Sequence, residues 1–427
     1  MIPHETLFTF SPEEDEQYTL QATLQQHQLL SAPDALDSYS CHSQPHVLEV
    51  MEQCSLLLED FLPWLKTQLP GTSPDWMRDQ LLLAAKLHDI GMCGTDSLRA
   101  LLLATDRLYT LLAAADAQPP ELLAPYVRTI LTEAEASGLT NRTWRDIRFW
   151  AEDIAGNKAR FRQALLEYHE DVKSAIRKRH AENSGRFILA HLDALQARYG
   201  ETAELLTVAA LAALHSSSSL ADACIVPDGE HFQNIRYHIR TMVAQERSEA
   251  EADRITAEEP FRRVIALAAL LRLADTRRSG RELRNMDQSR LLCEVSSDGT
   301  PRLYKLSGDV PEPIPGRIAH EILVSEALTE FGHVSVLPVS DGTWHIRHEI
   351  TLRHAGHAAL RDLFARSRLK TYAEEIDTGA LVYRLGFTHE ILLHLEGCPP
   401  FAGMAAVRRW REEVPWLRES PLKITVV

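Results

Sequence analysis

Along the first two thirds of the chain, apolar residues recur at three- and four-residue steps, the period of helices with one buried face. Val47, Val50, Met51, Cys54, Leu57, Leu58 and Phe61 set this pattern for a helix opening near Pro45, with His46 at its start. A loop over 70–74 (PGTSP) precedes LLLAAKLHDIG at 81–91. That stretch predicts a helix capped at Asp75 and ending on His88-Asp89 before Ile90-Gly91. Further helices are expected near 18–30, repeatedly between 98 and 175, and at 173–199, 201–214, 236–251 and 260–278. The segment around Trp144 and Trp150 carries Arg142, Arg145 and Arg148 and reads as an amphipathic helix with a solvated basic face.

Past Asn285 the period changes to alternation, clearest in WHIRHEITL at 344–352. Strands are expected at 290–295, 302–306, 334–337 and 344–352, with helices at 319–331 and 357–372. The fold class is therefore mainly α: a helical bundle followed by a smaller α+β C-terminal domain. The expected division is a polar, partly helical extension over 1–40, a helical domain over 41–285 and the α+β domain over 286–427. His345, His348, His354 and His357 read as surface residues of that last domain.

Composition narrows the function. The 427 residues are 45% hydrophobic and 25% charged, enough for a sizeable core. A net charge of -15 speaks against a coat for duplex nucleic acid, which needs a basic face. The six cysteines form no C-x-x-C, so a reducing cytoplasm is the simplest setting. No signal peptide and no apolar run of membrane-spanning length is visible, so no membrane association is expected.

Four of the apolar helices share a habit. Each places a histidine or aspartate near its end, at His46, His88-Asp89, His215 and Asp275. Such groups are costly beside a core unless something binds them, and imidazole with carboxylate suits a divalent cation. A helical bundle can gather these positions from distant parts of the chain.

These residues resemble the HD superfamily of metal-dependent phosphohydrolases. The family pattern is a lone histidine, an adjacent His-Asp pair and a distant aspartate. It falls on His46 in SQPHVLEV, on His88 and Asp89 in AAKLHDIGM, and on Asp275 in LLRLADTRR. The resemblance covers roughly 40–285 and implies an HD-type bundle, with the long stretch 97–175 as a helical insertion. It leaves the C-terminal domain uncovered. The glycine-tyrosine-proline signature of the cyclic di-GMP phosphodiesterase branch is missing.

The resemblance further implies His180 and His215 as ligands of a second ion, with Asp89 bridging the two. The expected cofactor is one or two divalent ions (Mn, Fe, Mg or Zn), with His88 and Asp89 central to catalysis. Arg272, Arg277, Arg278 and Arg281 flank Asp275 and are the expected phosphate-binding residues, because guanidinium groups match phosphoryl oxygens. Lys86, two residues before His88, is expected to point away from the His88 face.

The leading expectation is a hydrolase for a phosphoester or phosphoanhydride bond of a nucleotide or related small phosphate compound. A phosphodiesterase or nuclease acting on single strands is one alternative. A non-catalytic sensing or scaffold protein is another. In either case the C-terminal domain is the expected surface for a protein partner or a homo-oligomer.

Overall fold

The computed structural model describes residues 1–27, 44–113, 119–201, 203–216, 229–277, 291–295, 301–307, 310–313, 329–339, 343–353, 355–356, 358–366, 369, 387–419 and 422–427. Helices α1 (His4–Phe8) and α2 (Pro12–His27) precede α3 (Gln44–Gln68) and α4 (Pro74–Leu87). A 3-10 turn, Ile90–Cys93, leads into α5 (Asp96–Ala113), α6 (Pro120–Ser137) and α7 (Arg142–Trp150). The long α8 (Lys158–Ala190) is followed by α9 (Leu192–Tyr199), α10 (Leu205–Leu214), α11 (Glu230–Glu246), α12 (Glu249–Ile255) and α13 (Glu258–Thr276). Strands β1 (Leu291–Val295), β2 (Pro301–Ser307) and β3 (Val310–Pro313) form one antiparallel sheet. Strands β4 (Thr329–Pro338), β5 (Trp344–Leu352), β6 (Phe387–Leu395) and β7 (Lys423–Val426) form a second sheet in that order. Helix α14 (Ala358–Arg366) lies between β5 and β6 in the chain. Helices α15 (Pro400–Glu413) and α16 (Pro415–Glu419) lie between β6 and β7.

The fold is mainly α with a small α+β part at its end, and two packing facts explain why. LLTVAALAAL in α10 is apolar on every side, and each of its residues is buried. A helix without a polar face can only lie inside, so α10 becomes the centre against which α4, α8 and α13 pack. In α4, residues 81–87 are also buried throughout. These two helices consequently end inside the molecule, which places the residues after Leu87 and Leu214 at the centre of the bundle.

The 97–175 stretch closes a second core of its own. Leu98, Leu101, Leu108, Ile130, Ile147, Phe161 and Leu165 form it, between α5, α6, α7 and the first half of α8. Helix α8 is thus shared, with one half in this core and the other half against α10. Where the sequence suggests a helix over 173–199, the structure has a helix beginning at Lys158 and a separate α9.

The N-terminal segment is built into the bundle despite its polar composition. Ile2, Leu7 and Tyr18 are buried in the main core. Lys86 points away from the end of α4, as its position predicts, into a pocket made by this segment. Its ammonium pairs with Glu14 at 3.2 Å and donates to the carbonyls of Thr6 and Thr9. It also lies over the rings of Phe10 and Tyr199. The Tyr18 hydroxyl donates to the Lys86 carbonyl at 2.5 Å. Cap expectations shift slightly: Ser73 is the N-cap of α4, with Pro74 at its first position, rather than Asp75.

In the second sheet, β4 and β5 are antiparallel while β5, β6 and β7 run parallel. The face carrying Ile346, Ile350, Ile391 and Leu393 belongs to the same buried cluster as the bundle. The expected helix over 319–331 falls largely outside the described residues, and its last three positions begin β4 instead. Thr329, Phe331, Val334 and Val336 are the buried positions of this strand, on either side of a bulge. Among the described residues no helix is long and apolar enough to cross a membrane.

Candidate metal centre

His88 ends α4 and His215 ends α10, and both rings do the same thing. Each Nδ1 lies 2.7 Å from the carbonyl three residues earlier, Ala85 for His88 and Ala212 for His215. A carbonyl only accepts, so each Nδ1 carries the proton and the Nε2 lone pair is directed away from the helix. His180, on α8, is held in the same way by the Arg177 carbonyl. His46 enters from the first turn of α3. Asp275 enters from the last turn of α13.

The four helix ends and α8 bring these Nε2 atoms around the Asp89 carboxylate. His46 Nε2 lies 3.2 Å and His88 Nε2 3.3 Å from Asp89 Oδ2. His180 Nε2 lies 3.5 Å and His215 Nε2 3.6 Å from Asp89 Oδ1. Asp275 Oδ1 closes the first group, at 3.5 Å from His46 and 3.8 Å from His88. Within the pairs, Nε2 to Nε2 is 3.3 Å for His46 and His88, and 2.9 Å for His180 and His215. One carboxylate thus faces a different histidine pair with each of its oxygens.

The donor set fits a metal ion. His180 and His215 each hold a proton on Nδ1, so their Nε2 atoms would meet as two acceptors unless a cation or an extra proton intervenes. At metal–ligand distances of about 2.1 Å, neighbouring ligand atoms stand roughly 3.0–3.4 Å apart in octahedral or tetrahedral sites. The observed separations, 2.9 to 3.8 Å, fall in that range or within about 0.4 Å of it. The carbonyl contacts at Nδ1 are the outer partners that metal-ligating histidines ordinarily have. The buried cluster can therefore hold a metal ion.

Electrostatics differ across the cluster. Burial opposes a charge on His88, yet the Asp89 and Asp275 carboxylates outweigh it and raise its pKa. Burial and the neighbouring His215 ring instead hold His180 below its ordinary value. Among the described residues of the cluster, exposure is uneven. His46, His88, Asp89 and His215 are buried, whereas the side chains of His180 and Asp275 are 18% and 29% exposed.

The structure therefore gathers all six expected metal residues. The expected phosphate-binding arginines fare differently. Arg277 is buried at the junction of bundle and sheet, where its guanidinium donates to Gln53 Oε1 at 3.2 Å and to the Gly332 carbonyl. It also lies over the Phe331 ring. Position 277 is the C-cap of α13, so its side chain leaves the helix towards β4 and serves packing rather than a phosphate. Arg272 is half-buried one turn before Asp275, while Arg278 and Arg281 lie outside the described residues. His348, expected at the surface, is fully buried in β5, and His354 and His357 lie outside the described residues.

Sequence reasoning singled out neither Gly91 nor Ser184 as part of the site. The Gly91 amide donates to Ser184 Oγ at 2.9 Å, joining the turn after Asp89 to the helix that carries His180. The glycine ending LHDIG and the serine four residues after His180 were the available signals. Comparison with protein-family models, with curated proteins and with solved structures finds no match for this chain.

Proposed function

We propose that the chain is a metal-dependent phosphohydrolase that cleaves a phosphoester or phosphoanhydride bond of a nucleotide or related small phosphate compound. The observation that carries this reading is the Asp89 carboxylate, with one histidine pair at each oxygen and the Nδ1 of three of these rings fixed by backbone carbonyls. His46, His88, Asp89 and Asp275 would hold one ion, and His180, His215 and the other Asp89 oxygen a second. A divalent ion held there supplies Lewis-acid chemistry, polarising a phosphoryl oxygen and acidifying water near neutral pH.

The chain's own residues account for the rest. The buried apolar ends of α4 and α10 keep bulk water from the side of the cluster they cover, which strengthens the charge interactions there. Substrate enters past His180 and Asp275, the two members of the cluster with exposed area. Asp275, on the last turn of α13, brings its carboxylate to that opening as a ligand of the first ion. Arg272, one turn before it, is the described cation we assign to the substrate's phosphate. The acidic balance of the chain favours a small substrate over a nucleic-acid track, which needs a run of cations.

The test is a panel of nucleotides and phosphodiesters assayed with Mn²⁺, comparing the parent with His88→Ala and Asp89→Ala. Turnover by the parent and none by the variants is expected. Equal behaviour of all three on every compound would sink the catalytic reading.

A further inference from the structure

The turn Ile90–Cys93 and helix α8 meet at the centre with the Gly91 backbone directly against the α8 backbone. Gly91 lies two residues past Asp89, and a Cβ there would stand 2.3 Å from the Ser184 nitrogen and 2.6 Å from the His180 carbonyl oxygen. The turn after Asp89 is thus pressed directly onto the α8 backbone at the residues that carry His180. Only glycine allows that approach.

At this contact a single hydroxyl makes two bonds. Ser184 Oγ accepts from the Gly91 amide at 2.9 Å and donates to the His180 carbonyl at 3.0 Å. Ser184 is fully buried. Its hydroxyl therefore links the backbone beside Asp89 to the backbone of His180 in one step. His88 and Asp89 are set by α4, and His215 by α10. His180 belongs to a third helix, whose far half is committed to the insertion core. Of the four histidine rings, His180 is also the most exposed.

Resting on the two-ion reading above, we propose that Ser184 is a positioning residue. It holds His180 in register with Asp89 and so sets the affinity of the ion shared by His180, His215 and Asp89. Partners that touch the ligating group itself typically contribute about 10- to 100-fold to metal affinity; Ser184 acts through the backbone, so its effect is placed at the lower end, about 10-fold. The ion held by His46, His88, Asp89 and Asp275 would lie on the other carboxylate oxygen and takes no side chain from α8.

The experiment is a calorimetric Mn²⁺ titration of the metal-stripped full chain, paired with circular dichroism to verify the fold. The parent is expected to take up two ions of different affinity. Ser184→Ala is expected to weaken one of them by about 10-fold and to leave the other unchanged. His180→Ala should remove the same ion, and Ser184→Ala added to it should then have no further effect on the ion that remains. If Ser184→Ala does not fold, Ser184→Cys fills the space with a slightly larger side chain, weakens both hydrogen bonds and should show the same selective loss. Equal weakening of both ions, or no weakening of either, overturns the role of Ser184. A parent that binds fewer than two ions instead overturns the two-ion reading itself.

Discussion

Among the described residues, three regions bury histidines, and one of them resembles a site. In β5 and β6, His348 and His389 lie ring against ring, with centroids 4.7 Å apart and both nearly inaccessible. In the insertion core, His169 is fully buried and its Nδ1 meets the Thr105 hydroxyl at 2.8 Å. At the bundle centre, His46, His88 and His215 are just as buried. Burial alone therefore says nothing about function here. What differs is the chemistry opposite the ring. The four central rings, His180 included, turn Nε2 towards a shared carboxylate, and His88, His180 and His215 anchor Nδ1 on their own helix. The sheet pair faces apolar strands and the Arg277 charge, and burial with these neighbours drives its pKa values down, to about 3 for His389.

The sharpest way to break this comparison is to remove one histidine or carboxylate from each region and measure bound metal. Asp89→Ala takes a ligand from both halves of the centre at once. Its metal affinity is expected to fall by more than the roughly 100-fold that loss of an outer partner costs, with turnover abolished. His348→Leu should leave metal content at the parent level, as read by elemental analysis after reconstitution with Mn²⁺. Loss of metal in His348→Leu, or retention in Asp89→Ala, would erase the distinction between the two regions.

Much of the centre was legible because it lies at helix ends. The apolar periodicity of α4 and α10 predicts their buried faces. A polar pair such as His88-Asp89, or a lone His215, stands out where that periodicity stops. His180 was harder to read, since RKRHAEN looks solvated and only the packing of α8 on the turn at Gly91 brings it inward. Arg277 could not be read from spacing, because its partner Gly332 lies in a strand whose bulge and register are set by long-range pairing. The same holds for β6. FTHEILLHL looks like a short buried segment of either type, and its pairing with β5 and β7 decides the matter. The N-terminal segment reads as polar, yet its role is to surround Lys86, which pairs with a residue 72 positions away in sequence.

The sheet histidines offer a second contrast, in the pH dependence of stability. In the unfolded chain they titrate near 6.5, but in the fold burial keeps them neutral far below that. The groups that hold them down differ. His348 faces His389 and Arg277, and His389 faces His345. Between the folded and unfolded values the unfolded chain binds more protons, so stability rises with pH and is lost as pH falls below about 6.5. Each histidine should contribute a loss of about 2 kcal/mol between pH 7 and pH 5. Urea unfolding at the two pH values measures this. His389→Leu is expected to remove about half of the pair's acid loss, and an unchanged pH difference would show that the pair does not titrate as buried neutral rings.

The smallest effect is expected for the satisfied core histidine. Thr105→Val keeps the shape of the side chain and removes the hydroxyl that meets His169 Nδ1. That hydroxyl also donates back to the carbonyls of Leu101 and Leu102, which keep their helical partners, so the principal loss is one buried contact to the ring. The expected cost is about 1–2 kcal/mol, read as a lower urea midpoint at unchanged slope. Metal affinity should not move, because the first half of α8 carries His169 in the insertion core while the second half carries His180. A change in Mn²⁺ affinity in Thr105→Val would mean that the insertion core and the centre communicate along α8, and the three buried histidine regions would then no longer be separable.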